Sequence, residues 1–134
     1  MEANKDLVRR MIDTVWNGRE LGALDQFFAP DFFNHHPALG LTPDRAGLQQ
    51  SMRMLQAGFP DLQVVIDDLI AEGDQVVARM TMNATHQGDL LGIPPTGKRI
   101  IMTAISILRI QGGRIVERWG MDTSYAVFQS LSHP

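Results

Sequence analysis

Residues 99–122, RIIMTAISILRIQGGRIVERWGMD, constrain this chain more than any other stretch. Two strand-like runs, 99–110 and 114–121, flank Gln111-Gly112-Gly113. A short polar connection whose glycines can take positive φ is what a tight hairpin needs. The first run is rich in β-branched residues and long enough to lie at the centre of a sheet. The second ends in Trp119-Gly120-Met121-Asp122, which places an aromatic ring, a glycine and a carboxylate together. Strict alternation puts Ile115, Glu117, Trp119 and Met121 on one face and Arg114, Val116, Arg118 and Asp122 on the other, polar one. Asp122 therefore turns inward only if Gly120 is a bulge or the strand stops short of it. Otherwise it is a solvated strand end.

The segments before this hairpin fall into two groups. Leu7, Val8, Met11, Ile12, Val15 and Trp16 share one face of a helix over 3–16, stopped by Asn17-Gly18. A shorter helix is expected over 20–28, then a brief strand in 31–37. Thr42 is expected to cap a third helix, with Pro43 at its first position and Gly58 near its end. Residues 62–71 and 75–86 read as strands joined at Glu72-Gly73-Asp74. In the second, Val76, Ala78, Met80, Met82 and Ala84 form one apolar face. Residues 87–98 are a loop dense in glycine and proline, and a short helix follows from Ser124. Helices first and hairpin-linked strands after predict an α+β fold: a curved, mainly antiparallel sheet with helices on one face, in a single domain spanning 1–134.

Composition narrows the function classes. The chain has 134 residues, 44% hydrophobic and 20% charged, enough for a soluble globular core. A formal charge of −3 with no basic cluster argues against nucleic acid. Without cysteine there are neither disulfides nor thiolate metal sites. No signal-peptide pattern or membrane-length apolar run is visible, so no membrane partner is expected and a cytoplasmic location is the default.

Few motifs carry chemistry. Residues 92–98, GIPPTGK, fit the start of a phosphate-binding loop, but Arg99 follows where Ser or Thr is needed. Pro94 and Pro95 also remove N–H donors, and a strand follows instead of a helix, so that reading is rejected. The adjacent His35 and His36 point to opposite sides of a strand and cannot easily chelate one ion, so no metal is expected. Either could line a pocket beside Phe32 or Phe33. The methionines read mainly as core filler, and Trp16 and Trp119 as core anchors that would double as stacking surfaces if a cavity exists.

Five segments occur in the order of a known family: Phe59-Pro60-Asp61-Leu62, residues 72–79 (EGDQVVAR), Thr85-His86-x-Gly88, residues 92–97 (GIPPTG) and residues 113–119 (GRIVERW). The chain resembles the SnoaL-like polyketide cyclases, within the nuclear-transport-factor-like group. The resemblance implies a cone: helices and a curved sheet enclosing one apolar pocket, usually in a dimer. It also implies intramolecular aldol ring closure of a small apolar carbonyl or ester substrate by acid/base chemistry, with no cofactor. In such cyclases an aspartate of the last strand moves the proton and a histidine of the preceding strand assists. Here those positions fall at Gly120 and Ser106.

The expected site is therefore Asp122 as proton-transfer group, with His35 as polar partner. Trp16, Phe33, Phe59, Met80, Met102 and Trp119 are the expected wall for a small apolar ligand. A hydroxylase, isomerase or epoxide hydrolase of the same fold, or a non-catalytic binding protein, is the alternative. Apolar residues on both faces of 99–110 also predict a homodimer. The 87–98 loop, with Leu90, Leu91 and Ile93 between glycines, is expected to fold over the pocket mouth as a lid.

Overall fold

The computed structural model describes residues 2–38 and 40–132. Helix α1 (Glu2–Met11) runs directly into a wider π-helical turn, Ile12–Asn17. A 3-10 turn (Leu21–Ala23) and the short α2 (Leu24–Phe27) lead into strand β1 (Phe28–Asn34). Helix α3 (Arg45–Gly58) follows, then β2 (Gln63–Glu72), β3 (Gln75–Thr85), β4 (Arg99–Gln111), β5 (Arg114–Asp122) and the terminal helix α4 (Ser124–Ser132). The five strands form one sheet in the order β1-β5-β4-β3-β2, antiparallel except where β1 runs parallel to β5. This is the expected α+β architecture of helices against a mainly antiparallel sheet. Among the described residues, no helix is long and apolar enough to cross a membrane.

Alternation sets the two faces. On β3, Val76, Ala78, Met80, Met82 and Ala84 are all buried, as their spacing requires. On β4, Ile100, Met102, Ala104, Ser106, Leu108 and Ile110 are buried beneath the helices, while Ile101, Ile105 and Ile107 stand out on the other face. The β4–β5 hairpin turns on Gly112 and Gly113, both at positive φ (59° and 77°), the conformation a two-residue hairpin demands.

Several local expectations are corrected. The second helix is shorter than 20–28, because Phe28 already pairs with Ile115 of β5. The cap of α3 is Asp44, not Thr42: its carboxylate accepts from the Gly47 N–H at 2.9 Å, and the Thr42 hydroxyl donates to it at 2.6 Å. Those bonds hold the Asp44 carboxyl below the usual carboxylate range, the Thr42 hydroxyl acting most. Asn17 does more than stop a helix. Its side-chain amide donates to the Val64 carbonyl and accepts from the Val64 N–H, which ties the π-helical turn to β2.

The correction that matters for function is in β5. Arg109 is level with Glu117 and Ile110 with Ile115, so Val116 has no partner on β4. The bulge lies at Val116, not at Gly120. One extra residue reverses the alternation beyond it. Ile115 is buried, and after the bulge Arg118, Gly120 and Asp122 take the inner face while Glu117, Trp119 and Met121 take the outer.

Candidate functional site

The helices and the inner face of the sheet enclose a cavity of about 460 Å³. Val8, Met11, Ile12 and Trp16 come from the N-terminal helix, Leu48, Met52 and Leu55 from α3, and Met80, Met82, Met102, Ala104 and Leu108 from the sheet. Leu91, Met121, Tyr125 and Phe128 border it from the 87–98 loop, β5 and α4. Most of this lining is aliphatic or thioether, which suits an apolar ligand of adaptable shape.

The polar groups gather where β5 meets β1 and the residues after it. Asn34, His36, Ser106, Arg118, Gly120 and Asp122 all line the cavity there. Ser106 and Gly120 are level partners on adjacent strands. The Gly120 N–H donates to His36 Nδ1 at 3.1 Å. A nitrogen that accepts this bond leaves the imidazole proton on Nε2, so His36 offers an N–H donor. Arg118 Nη1 donates to Asn34 Oδ1 at 3.1 Å and to the His36 carbonyl at 3.2 Å. Burial pulls the Arg118 guanidinium below its ordinary value, and the Asp122 charge opposes that shift. Asp122 is exposed at the rim, where its Oδ1 accepts from the Ser124 N–H at 2.9 Å. Among the described residues, no three histidine or carboxylate side chains converge as a metal site would require.

Of the residues singled out in the sequence, Asp122, Trp16, Met80 and Met102 line this cavity. His35, Phe33, Phe59 and Trp119 do not. His35 lies on the outer face, stacked on Trp119 with ring centres 4.6 Å apart and 6° between planes. Its Nε2 is 2.7 Å from Glu117 Oε2, and Phe33 packs edge-on against its ring at 4.8 Å. Phe59 is fully buried in the core, beside the buried His86. The reason is phase: β1 buries Phe32 and Asn34, so Phe33 and His35 face outward. His36 then takes the inward place expected of His35. The sequence names both histidines but not their phase, because Phe32-Phe33 offers two equally apolar anchors.

The family can now be set beside this geometry. A model of the SnoaL-like polyketide cyclases matches residues 6–131. The chain belongs to that family. As a SnoaL-like protein it is 24% identical, over its whole length and 94% of the relative's, to the aklanonic acid methyl ester cyclase DnrD of Streptomyces peucetius. Its fold is similar to that of a candidate polyketide cyclase from Acidithiobacillus ferrooxidans, with a TM-score of 0.85, 30% identity, and 97% and 94% of the two chains covered. It is also similar to AclR, a candidate hydroxylase from Streptomyces galilaeus, with a TM-score of 0.85, 28% identity, and 100% and 87% covered. The SnoaL-like frame thus hosts more than one named chemistry, and the residues at the cavity must decide this chain's.

Proposed function

We propose that the cavity takes an apolar, polyketide-type carbonyl compound and moves a proton on a carbon beside a carbonyl, closing a ring within the same molecule. Asp122 takes that proton, breaking the C–H bond, and the enolate so formed makes a C–C bond to a second carbonyl. The new alkoxide is then protonated and the Asp122 carboxylate restored. His36 Nε2–H donates to a carbonyl oxygen as charge grows on it, and no external oxidant or reductant enters. The observation that carries this reading is that Asp122 and the His36 imidazole open onto one apolar cavity. Asp122 and His36 stand in for the Gly120 and Ser106 positions, which hold no titratable group.

That same absence favours a second reading, a small-molecule binding protein without turnover. Aklanonic acid methyl ester, named in the function of the curated relatives, is a probe that separates the two. With catalysis, ring closure runs faster than in buffer, and Asp122→Asn slows it about 10²-fold or more with the fold retained. Saturable binding with ring closure no faster than in buffer would sink the enzyme reading and leave the binding protein.

We further propose that the outer sheet face meets a second copy of the chain. Ile101, Ile105, Ile107, Phe33 and Val65 are exposed there, an apolar area that a lone molecule would leave in water. A monomer by light scattering at micromolar concentration would refute this.

A further inference from the structure

The side chain that fills the space beside Gly120, at the polar end of the cavity, is a cation. An ideal Cβ on Gly120 would lie 2.3 Å from Arg118 Nη2 and 2.6 Å from its Cζ, with Ser106 Oγ at 3.1 Å. The guanidinium therefore lies over the bare backbone of Gly120, in the space that any side chain at 120 would need. Glycine is what lets it lie there.

The hydrogen bonds of this guanidinium are unevenly spent. Both recorded bonds leave Nη1, and both acceptors, the Asn34 amide oxygen and the His36 carbonyl, are neutral. They fix the plane of the fork and leave Nη2 and Nε without a protein acceptor among the described residues. No carboxylate among the described residues lies within ion-pair distance of Arg118. Asp122 acts on it only at longer range. A half-buried cation, held in position by the two bonds from Nη1 and left with idle donors, is poised for an anion that the protein does not itself supply. The flanking groups agree: the Ser106 hydroxyl and the His36 Nε2–H are further donors at the same end of the cavity.

We propose that this polar end is an anion subsite in which Arg118 receives a carboxylate carried by the apolar ligand. The inference rests on the apolar-cavity reading above and deepens it: an apolar ligand with a free carboxylate is held more tightly than its neutral ester. A planar guanidinium with two neighbouring donors matches a carboxylate in two-point contact, while the methionine-rich wall takes the hydrocarbon. An ester at the same place would offer neutral oxygens and forfeit the charge-assisted part of the contact.

The test uses the matched pair anthracene-2-carboxylate and methyl anthracene-2-carboxylate, titrated against the whole chain and followed by fluorescence. The acid should bind wild type about tenfold or more tightly than the ester, the difference a charge-assisted hydrogen bond brings. Arg118→Met should bring the two affinities together by weakening the acid alone, and Arg118→Lys should keep part of the preference. A purely structural tie to Asn34 and His36 would leave the acid with no advantage in wild type, and that result overturns the proposal. So does an acid preference that survives Arg118→Met. If neither probe binds wild type, the apolar-cavity reading itself fails and the subsite falls with it. Equal binding of the two sinks the subsite alone. The wild-type ratio needs no variant, so it decides even if Arg118→Met does not fold.

Discussion

Met102 and Ile101 are neighbours on β4, of similar size and hydrophobicity, yet Met102 is 1% exposed and Ile101 65%. The inner face of the sheet meets the helices and lines a cavity. The outer face carries an equally apolar strip, bounded by charge. Arg79 Nε donates to Asp68 at 2.7 Å on one side, and the linked groups Arg109, Glu117 and His35 lie on the other. The difference teaches that β4 carries apolar side chains on both faces for two separate reasons. One set of side chains makes the fold and its cavity; the other presents a surface. Five substitutions would break or sharpen that distinction.

The largest effect is expected at the paired positions themselves. Met102→Ala should cost about 2–5 kcal/mol, because a buried side chain is removed and its neighbours close in only partly. Ile101→Ala should cost about 0.5 kcal/mol or less in the isolated chain. Urea unfolding at two protein concentrations checks both, and similar losses at the two sites would erase the contrast between the faces. If the outer face is an interface, the Ile101→Ala loss will grow at the higher concentration, as linked association requires.

Next is Ile105→Glu, which puts a charge into the centre of the outer strip. It should weaken self-association by about 2 kcal/mol or more, read by sedimentation, while leaving probe binding in the cavity intact. A change in cavity affinity with no change in assembly would reverse the roles assigned to the two faces.

Gly120→Val should destabilise by about 1–3 kcal/mol, because the flexible end of Arg118 can swing aside only by giving up its bonds to Asn34 and to the His36 carbonyl. Thermal unfolding measures this. A neutral result would mean that Arg118 moves aside at no cost and is not held as described.

The smallest effect concerns pH. Bonds from His35 first and Arg109 second hold the Glu117 carboxyl below its usual range. The unfolded chain therefore takes up this proton before the folded one does. Glu117 contributes stability above the ordinary glutamate range, and the contribution is lost as pH falls through the lowered native value. Asp61, lowered by the Thr85 backbone N–H and then by its hydroxyl, behaves in the same sense. Glu117→Gln should give a shallower decline in stability below about pH 4 than wild type shows. An unchanged acid limb would show that the outer-face network is too well solvated to matter.

Much of this was legible in the residues themselves. The hairpin at Gly112-Gly113, the apolar phase of β3, the terminal helix and the α+β order all follow from period and turn chemistry. The face of Asp122 did not. Alternation counted from Ile115 is right up to Val116 and inverted after it, because a bulge in a run of strand-forming residues leaves no mark in side-chain type. Arg118 was read as solvated for the same reason. His36 was hidden by the ambiguity of Phe32-Phe33, which only pairing with β5 resolves. One error is local, in the pairing of β5 with β4 just past the hairpin turn, and the other lies where β1 meets β5; the polar end of the cavity is built between them.

The parallel pairing of β1 with β5 has a consequence in time. Asn34 and Arg118, joined across that seam, are 84 residues apart in the chain. Strands β2 to β5 can assemble through successive hairpins, each closing a short loop, whereas β1 must wait for the far edge of β5 to exist. The cavity's polar end is therefore expected to finish last, during refolding and on the ribosome alike. Pulse-labelled hydrogen exchange should find the β1 amides protected after those of β3 and β4. A nascent chain halted before β5 would hold the meander and the greasy wall but no place for a charged ligand.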